Sequence, residues 1–366
     1  MSVDVTGTGG HSRVWRVRES ALSPNPVAAA KNPSREGENH RGQELSRIEG
    51  APTAQKTMSR NESHRGSECL GDRDAATQKG TTSPGERRSG PFMVRECWEI
   101  PIVYEDAHLM AVNKPARLLT SPDRYDRERP NLMKLLHQEI ARGAGWVRER
   151  GLTYLANAHR LDFETSGLLL LAKDKPTLVA LAELFGSLKP VKIYVALIHG
   201  TPKEAHFEVD AKLAPHPRRP GLMRVDHKHG KMSKTVFQVR EYFRDYTLLD
   251  CLPLTGRTHQ IRVHLQYAKL ALVADPLYGG PALWLSEIKK RFRLREGHAE
   301  KALLSRVALH AEKLALKHPV TGMELCLEAP WSKDLTVAIK YLRKYGASRD
   351  PANPEEFPAE NATPSA

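Results

Sequence analysis

The sequence predicts an α+β protein, on three observations. Apolar runs of strand length follow one another across short turns, as in 235–243 and 246–253 around Arg244-Asp245. Helical stripes with spacings of three and four lie among those runs, without the strand–helix–strand regularity of a doubly wound sheet. Near the middle, a polar loop ends in four consecutive leucines, Leu168 to Leu171, which read as a short strand buried on both faces.

The 366 residues allow one large domain or two ordinary ones, and 40% hydrophobic residues suffice for a core. No apolar run approaches the roughly 20 residues of a membrane helix, so no membrane partner is expected. Lys and Arg exceed Asp and Glu by 13, with a pI of about 9.6, which points to a polyanion, nucleic acid first; such a surplus also simply aids solubility. Cys69, Cys97, Cys251 and Cys326 are far apart with no Cys-x-x-Cys, which argues against zinc and a disulfide framework and fits a reducing cytoplasm.

Residues 1–92 are rich in Ser, Gly, Arg, Asn and Pro and carry no sustained period, which predicts a disordered basic extension. They hold 14 basic against 11 acidic residues, so most of the charge excess belongs to 93–366, where a binding surface is expected. No secretory h-region follows the start. The arginines of Arg13, Arg16 and Arg18 suit an organelle transit peptide, Asp4 and Glu19 do not, and Met93 is an alternative start. The folded part is expected over 93–345, with a flexible tail over 346–366.

From Trp98 two apolar runs flank Glu105-Asp106-Ala107 and read as a hairpin. Leu132, Leu135, Leu136 and Ile140 make 131–142 a helix; Asp174 and Pro176 start another, whose stripe of Leu178, Leu181, Ala182 and Phe185 reads as core. The run 191–198 alternates as a strand, with Lys192 and Tyr194 on one face. Residues 216–234 form a basic, hairpin-like stretch containing Arg218, Arg219, Arg224 and Lys231. Its His227-x-His229 pair lacks a third ligand at a sensible spacing, so no metal is expected; phosphate contact is the functional reading and an ordinary solvated loop the plain one. From Thr258 a helix places Ile261, Leu265 and Ala268 on one side. A helix over 283–295 with basic residues near its end and a final helix over 331–345 complete the chain.

The loop before the leucines reads His159-Arg160-Leu161-Asp162-Phe163-Glu164-Thr165-Ser166-Gly167. Alone, an Asp in such a loop caps a turn. The whole string, however, resembles the signature loop of RNA pseudouridine synthases of the RluA type, whose catalytic aspartate corresponds to Asp162. The resemblance extends over about 93–345. It is carried by Tyr104-Glu105-Asp106 with Leu109 to Pro115, by Lys192-Ile193-Tyr194, by Leu254 to Leu265, by Asp275 to Gly279 and by Leu309-His310-Ala311. Arg117 and Ala274 depart from it, standing where glycine is usual. If the backbone there has φ > 0, a side chain is strained.

The resemblance implies a central mixed, largely antiparallel bent sheet with flanking helices and an RNA-binding cleft. It implies isomerisation of uridine in ribosomal or transfer RNA, a reaction without net redox or hydrolysis that needs no cofactor and no metal; a monomer is simply the default. Asp162 is then the nucleophile, Tyr194 the base or relay that closes over the uracil, and Arg262, with Arg257 second, the cation beside the carboxylate. Arg160 fills the space left by the flipped nucleotide. His159 orients the loop within the RNA-binding surface, to which Lys192 also belongs. Thr165, Ser166 and Gly167 position the loop. Two rivals remain: a glycosidic hydrolase pairing Asp162 with Glu164, and a non-catalytic RNA-binding factor on the same scaffold.

Overall fold

The computed structural model describes residues 14–18, 97–123, 126 and 129–347. The rest of the predicted extension, and the predicted tail from 348 onward, lie outside the described residues. Against the expectation of disorder throughout 1–92, Val14–Arg18 is strand β1, antiparallel to β2, Cys97–Glu105, which supplies the backbone partners that the local sequence lacks. Then come β3 (Leu109–Lys114), α1 (Leu132–Ala141), α2 (Gly145–Glu149), β4 (Ala156–Asn157), β5 (Ser166–Ala172) and α3 (Lys175–Gly186). Strands β6 (Val191–His199), β7 (His206–Asp210), β8 (Leu213–Pro215), β9 (Met223–Val225), β10 (Lys234–Tyr242) and β11 (Tyr246–Pro253) follow. The chain continues through α4 (Gln260–Tyr267), α5 (Leu285–Ile288), β12 (Leu309–Lys317), β13 (Glu324–Glu328) and α6 (Lys333–Tyr345).

The main sheet runs β1-β2-β3-β5-β12-β6-β11-β10-β7, with β4 also on β5 and β13 on β12; β8 and β9 form a separate ribbon. Its pairings are antiparallel except that of β5 with β12. The α+β class and the mixed, largely antiparallel sheet are as expected.

The parallel pair is the seam between two halves of the sheet. It registers only His310 with Ser166 and Ala311 with Gly167. Gly167 has φ +113, and a Cβ there would stand 2.2 Å from the Ala311 carbonyl oxygen. The strands meet this closely because the residue has no side chain. Ser166 Oγ bonds His310 Nδ1 at 2.9 Å across the same join. Gly167→Ala combines backbone strain with a steric clash, and should cost about 3 kcal/mol or more. Thermal unfolding tests this: an unchanged melting temperature would remove the seam from its structural role.

The leucine run is buried on both sides. Leu169 and Leu171 join the core under α1, with Leu132, Leu135 and Leu136, whereas Leu168 and Leu170 pack with Leu181 of α3. In the other half, Ala196 and Ile198 of β6 pack with Ile261 and Leu265 of α4, while Val195 and Leu197 pack with Leu335, Ala338 and Ile339 of α6. Alternation along β6 thus places α4 and α6 on opposite faces of the sheet.

Two expectations need correction. The helix over 283–295 shrinks to α5: the backbone turns extended at Lys289 and left-handed at Arg291 (φ 59), where five like charges crowd into 289–295. The α3 stripe is not all core: Leu181 is buried, but Ala182 is exposed and, with Phe185, lines a cleft. Arg117 and Ala274 do lie in the left-handed region, at φ 61 and 55.

Candidate active site

Asp162 stands where the chain enters the seam, and its backbone is held on both sides. Thr120 Oγ1 donates to the Leu161 carbonyl (3.0 Å) and accepts from the Leu161 amide (3.1 Å). The Arg117 amide donates to the Phe163 carbonyl (2.7 Å), and the Thr165 amide to the Asp162 carbonyl (3.2 Å). The Arg117 side chain reinforces this through Ser305 O (3.0 Å) and an ion pair with Glu164 (3.7 Å). The half-buried Asp162 carboxylate, by contrast, makes no hydrogen bond or ion pair among the described residues. It faces a cleft of about 380 Å³, within the ~300–1,000 Å³ of small-molecule sites.

The cleft brings together His159, Arg160, Lys192, Tyr194, Arg257, Arg262 and Thr165 around Asp162. Burial, and then the Asp162 charge, push the Tyr194 phenol well above the usual range, so it stays protonated at neutral pH. Arg160 is exposed and has no ion-pair partner among the described residues. Burial pushes His159 down to about 3, so the ring is neutral and is not a phosphate-binding cation. Its Nε2 accepts from the Leu170 amide (3.0 Å) and its ring stacks on Phe185 at 4.7 Å, contacts that tie the loop to β5 and α3.

Arg262 requires a correction. Its two parallel hydrogen bonds go to Asp275, at 2.7 Å each, instead of Asp162. Asp275 is fully buried and needs a counter-charge more than Asp162, which is open to the cleft. The guanidinium also lies 4.9 Å from the centre of the Tyr278 ring. Burial opposes its charge, but Asp275, with Asp162 beyond, raises its pKa. Asp162 therefore feels Arg262 as a fixed field. Arg257, the second choice, is exposed and donates to Met232 O (3.1 Å).

The loop that carries these arginines is built around Gln260. This buried amide accepts from Thr255 Oγ1 (2.6 Å) and the Arg257 amide (3.0 Å), and donates to Lys234 O and Thr235 Oγ1 (2.9 Å each). His259 takes φ 53 just before α4, and its Nδ1 meets Tyr278 Oη at 2.8 Å. The helix therefore starts at Gln260, not Thr258. Tyr278 Oη also accepts from the Met223 amide (3.0 Å), which fastens the β8–β9 ribbon beside α4. Arg218, Arg219, Arg224 and Lys231 lie exposed on that ribbon and its flanking loops, outside the cleft lining; Arg224 pairs with Asp226 at 2.6 Å. Ser166 and Gly167 belong to the seam and do not line the cleft. Among the described residues, no group of three or more His, Cys, Asp or Glu is placed to hold a metal ion.

Residue-by-residue reading missed Lys114, Asp275 and Tyr278, although all lie in strings already singled out. Lys114 has 0% exposure and donates to the carbonyls of Pro115 (2.8 Å) and Leu118 (2.7 Å), which shapes the loop behind Asp162. Burial pushes its pKa down to about 7, with Asp162 working the other way. The unfolded chain, in which a lysine titrates near its ordinary value of 10.5, therefore binds more protons between about pH 7 and pH 10.5, and stability should rise with pH across that window. Denaturant unfolding of wild type and Lys114→Met at pH 7 and pH 9 tests this; an equal pH response in both would contradict it.

These features place a carboxylate that makes no hydrogen bond among the described residues in a cleft lined by Arg160, Lys192, Arg257 and Arg262, a setting suited to a polyanionic ligand. Comparison makes the class definite. Residues 108–267 match the family described as RNA pseudouridylate synthase. The chain is 33% identical over 253 residues to ribosomal large subunit pseudouridine synthase D of Xylella fastidiosa, covering 68% of this chain and 71% of that one. It is 32% identical over 238 residues to the dual-specificity RNA pseudouridine synthase RluA of Escherichia coli, covering 64% and 94%. Human RNA pseudouridylate synthase domain containing 4 is a solved structure with TM-score 0.49 and 24% identity, covering 66% and 92%. The chain belongs to the RNA pseudouridine synthase family, in its RluA-type branch, and is an isomerase acting on RNA.

Proposed function

We propose that the protein isomerises specific uridines of ribosomal RNA, with Asp162 as nucleophile acting on a flipped-out nucleotide. The observation that carries this reading is the open Asp162 carboxylate in a cleft shared with Tyr194 and Arg262. The carboxylate forms a transient bond to the nucleotide, the N1–C1′ bond breaks, and the ring turns. C5 then bonds to C1′ and the carboxylate is released. The proton lost from C5 is balanced by one gained at N1, so the reaction needs no oxidant, metal or cofactor. Tyr194, protonated in the resting cleft, stacks on the uracil and relays the C5 proton through its hydroxyl. Arg160 occupies the vacated stack while Arg257 and Lys192 face the backbone. The enzyme works as a cytoplasmic monomer, with 93–345 as its catalytic unit.

The ribosomal target is supported by the similarity to large-subunit enzymes. Mapping pseudouridines across total RNA with and without the gene tests it. Loss of a large-subunit site is expected; loss confined to transfer RNA would overturn the target, and no loss would overturn the activity. Neutralising Arg218, Arg219 and Lys231 together should weaken binding of a short stem-loop and make its log–log salt slope shallower by about two to three. Unchanged affinity would make the ribbon an ordinary surface.

A further inference from the structure

The positive charge of the chain does not all gather at the cleft. After α5 the backbone passes through Lys289, Lys290 and Arg291, the last in the left-handed region at φ 59. This turn lies against the end of α6. Lys289 Nζ stands 5.5 Å and Lys344 Nζ 5.2 Å from the centre of the Tyr345 ring, which stacks on Tyr341 at 5.9 Å and 19°. Two ammonium groups thus share one aromatic ring. The acids nearby are already engaged: Glu241 with Arg343, Asp245 with Arg244, and Glu287 with Tyr246 and the Trp284 amide. Among the described residues neither Lys289 nor Lys344 has a carboxylate partner.

That arrangement does little for the fold. An exposed cation–π contact contributes about 0.5–1 kcal/mol, and two ammonium groups gathered at one ring also repel each other. What it creates is a cluster of cations without carboxylate partners among the described residues, two of them held in place over one aromatic ring, suited to a phosphate backbone. Its place is informative too. α6 packs on the Val195 and Leu197 face of β6, whereas the cleft lies on the Tyr194 and Ala196 face with α4. Two layer spacings of roughly 10 Å each separate these helices, so a short stem-loop seated at Asp162 does not also cover Tyr345.

We propose that Lys289, Lys290, Arg291, Lys344 and Tyr345 form a second RNA-binding surface, which holds a segment of a long RNA remote from the target uridine. The proposal rests on the RNA-isomerase reading only for the identity of the polyanion. Its test uses the full chain carrying Lys289→Gln, Lys290→Gln and Lys344→Gln, titrated against two probes: a short stem-loop bearing the mapped uridine, and a long ribosomal RNA transcript containing it. On the stem-loop, Kd and turnover should match wild type. On the long transcript, Kd should weaken about tenfold or more and the log–log salt slope should become shallower by about two to three. Wild-type Kd and slope on the long transcript would overturn the second surface. An equal loss on both probes would also overturn it, by merging the patch with the footprint of the cleft. Failure of the isomerase reading would appear instead as absent turnover of either RNA by the wild type, and would leave the binding comparison interpretable.

Discussion

Asp162→Asn should abolish isomerisation, with turnover of the mapped stem-loop reduced at least ~10⁴-fold, while Kd and melting temperature stay at wild-type values. The amide has the shape of the carboxylate but cannot attack. No hydrogen bond or ion pair is lost with the charge, because the carboxylate makes none among the described residues and the loop is held through Leu161, Phe163 and Thr165. The experiment also separates the rivals. A binding factor predicts that the variant rescues a deletion, and a hydrolase predicts free uracil together with dependence on Glu164. That second carboxylate is poorly placed for chemistry: one oxygen is buried without a hydrogen bond, 3.7 Å from Arg117, and Glu164 does not line the cleft. Turnover near wild type would remove Asp162 from its role.

What the sequence made legible was whatever is local. Four leucines in a row after a polar loop specify a strand buried on both faces, and Leu168 to Leu171 divide between the α1 and α3 cores accordingly. Asn131 and Asp174 cap their helices with side chains that accept from the amide three residues on. Long-range pairings were not legible. Asp275 lies 13 residues from Arg262 and caps no element, so its grip on the guanidinium appears only once α4 and the following loop are folded together. Lys114 reads as an ordinary strand-end lysine, yet the strands and loops around it close it off entirely. The 283–295 helix failed for a related reason: Leu285, Ile288 and Phe292 keep a helical spacing, yet the backbone leaves the helix at Lys289 and is left-handed at Arg291, which spacing alone does not reveal.

Arg262→Ala should destabilise the protein by about 3–5 kcal/mol, because it leaves the Asp275 carboxylate buried without its partner. That corresponds to a fall in melting temperature on the order of 10 °C for a domain of this size. Activity should fall as well, but the single variant does not separate scaffold from chemistry. The double variant Arg262→Met with Asp275→Leu does. Replacing a buried ion pair by apolar groups of similar volume is often near neutral for stability, so the double variant should melt well above Arg262→Ala. It still lacks the positive field that Asp162 and the developing charge of the reaction experience, so its turnover should stay low while its RNA affinity recovers with the fold. Recovery of stability and turnover together would reduce Arg262 to a packing residue and shift the electrostatic role to Lys114 or Arg257. Recovery of stability alone would place Arg262 in the chemistry at a distance, through a field fixed in direction because Asp275 holds the guanidinium from behind.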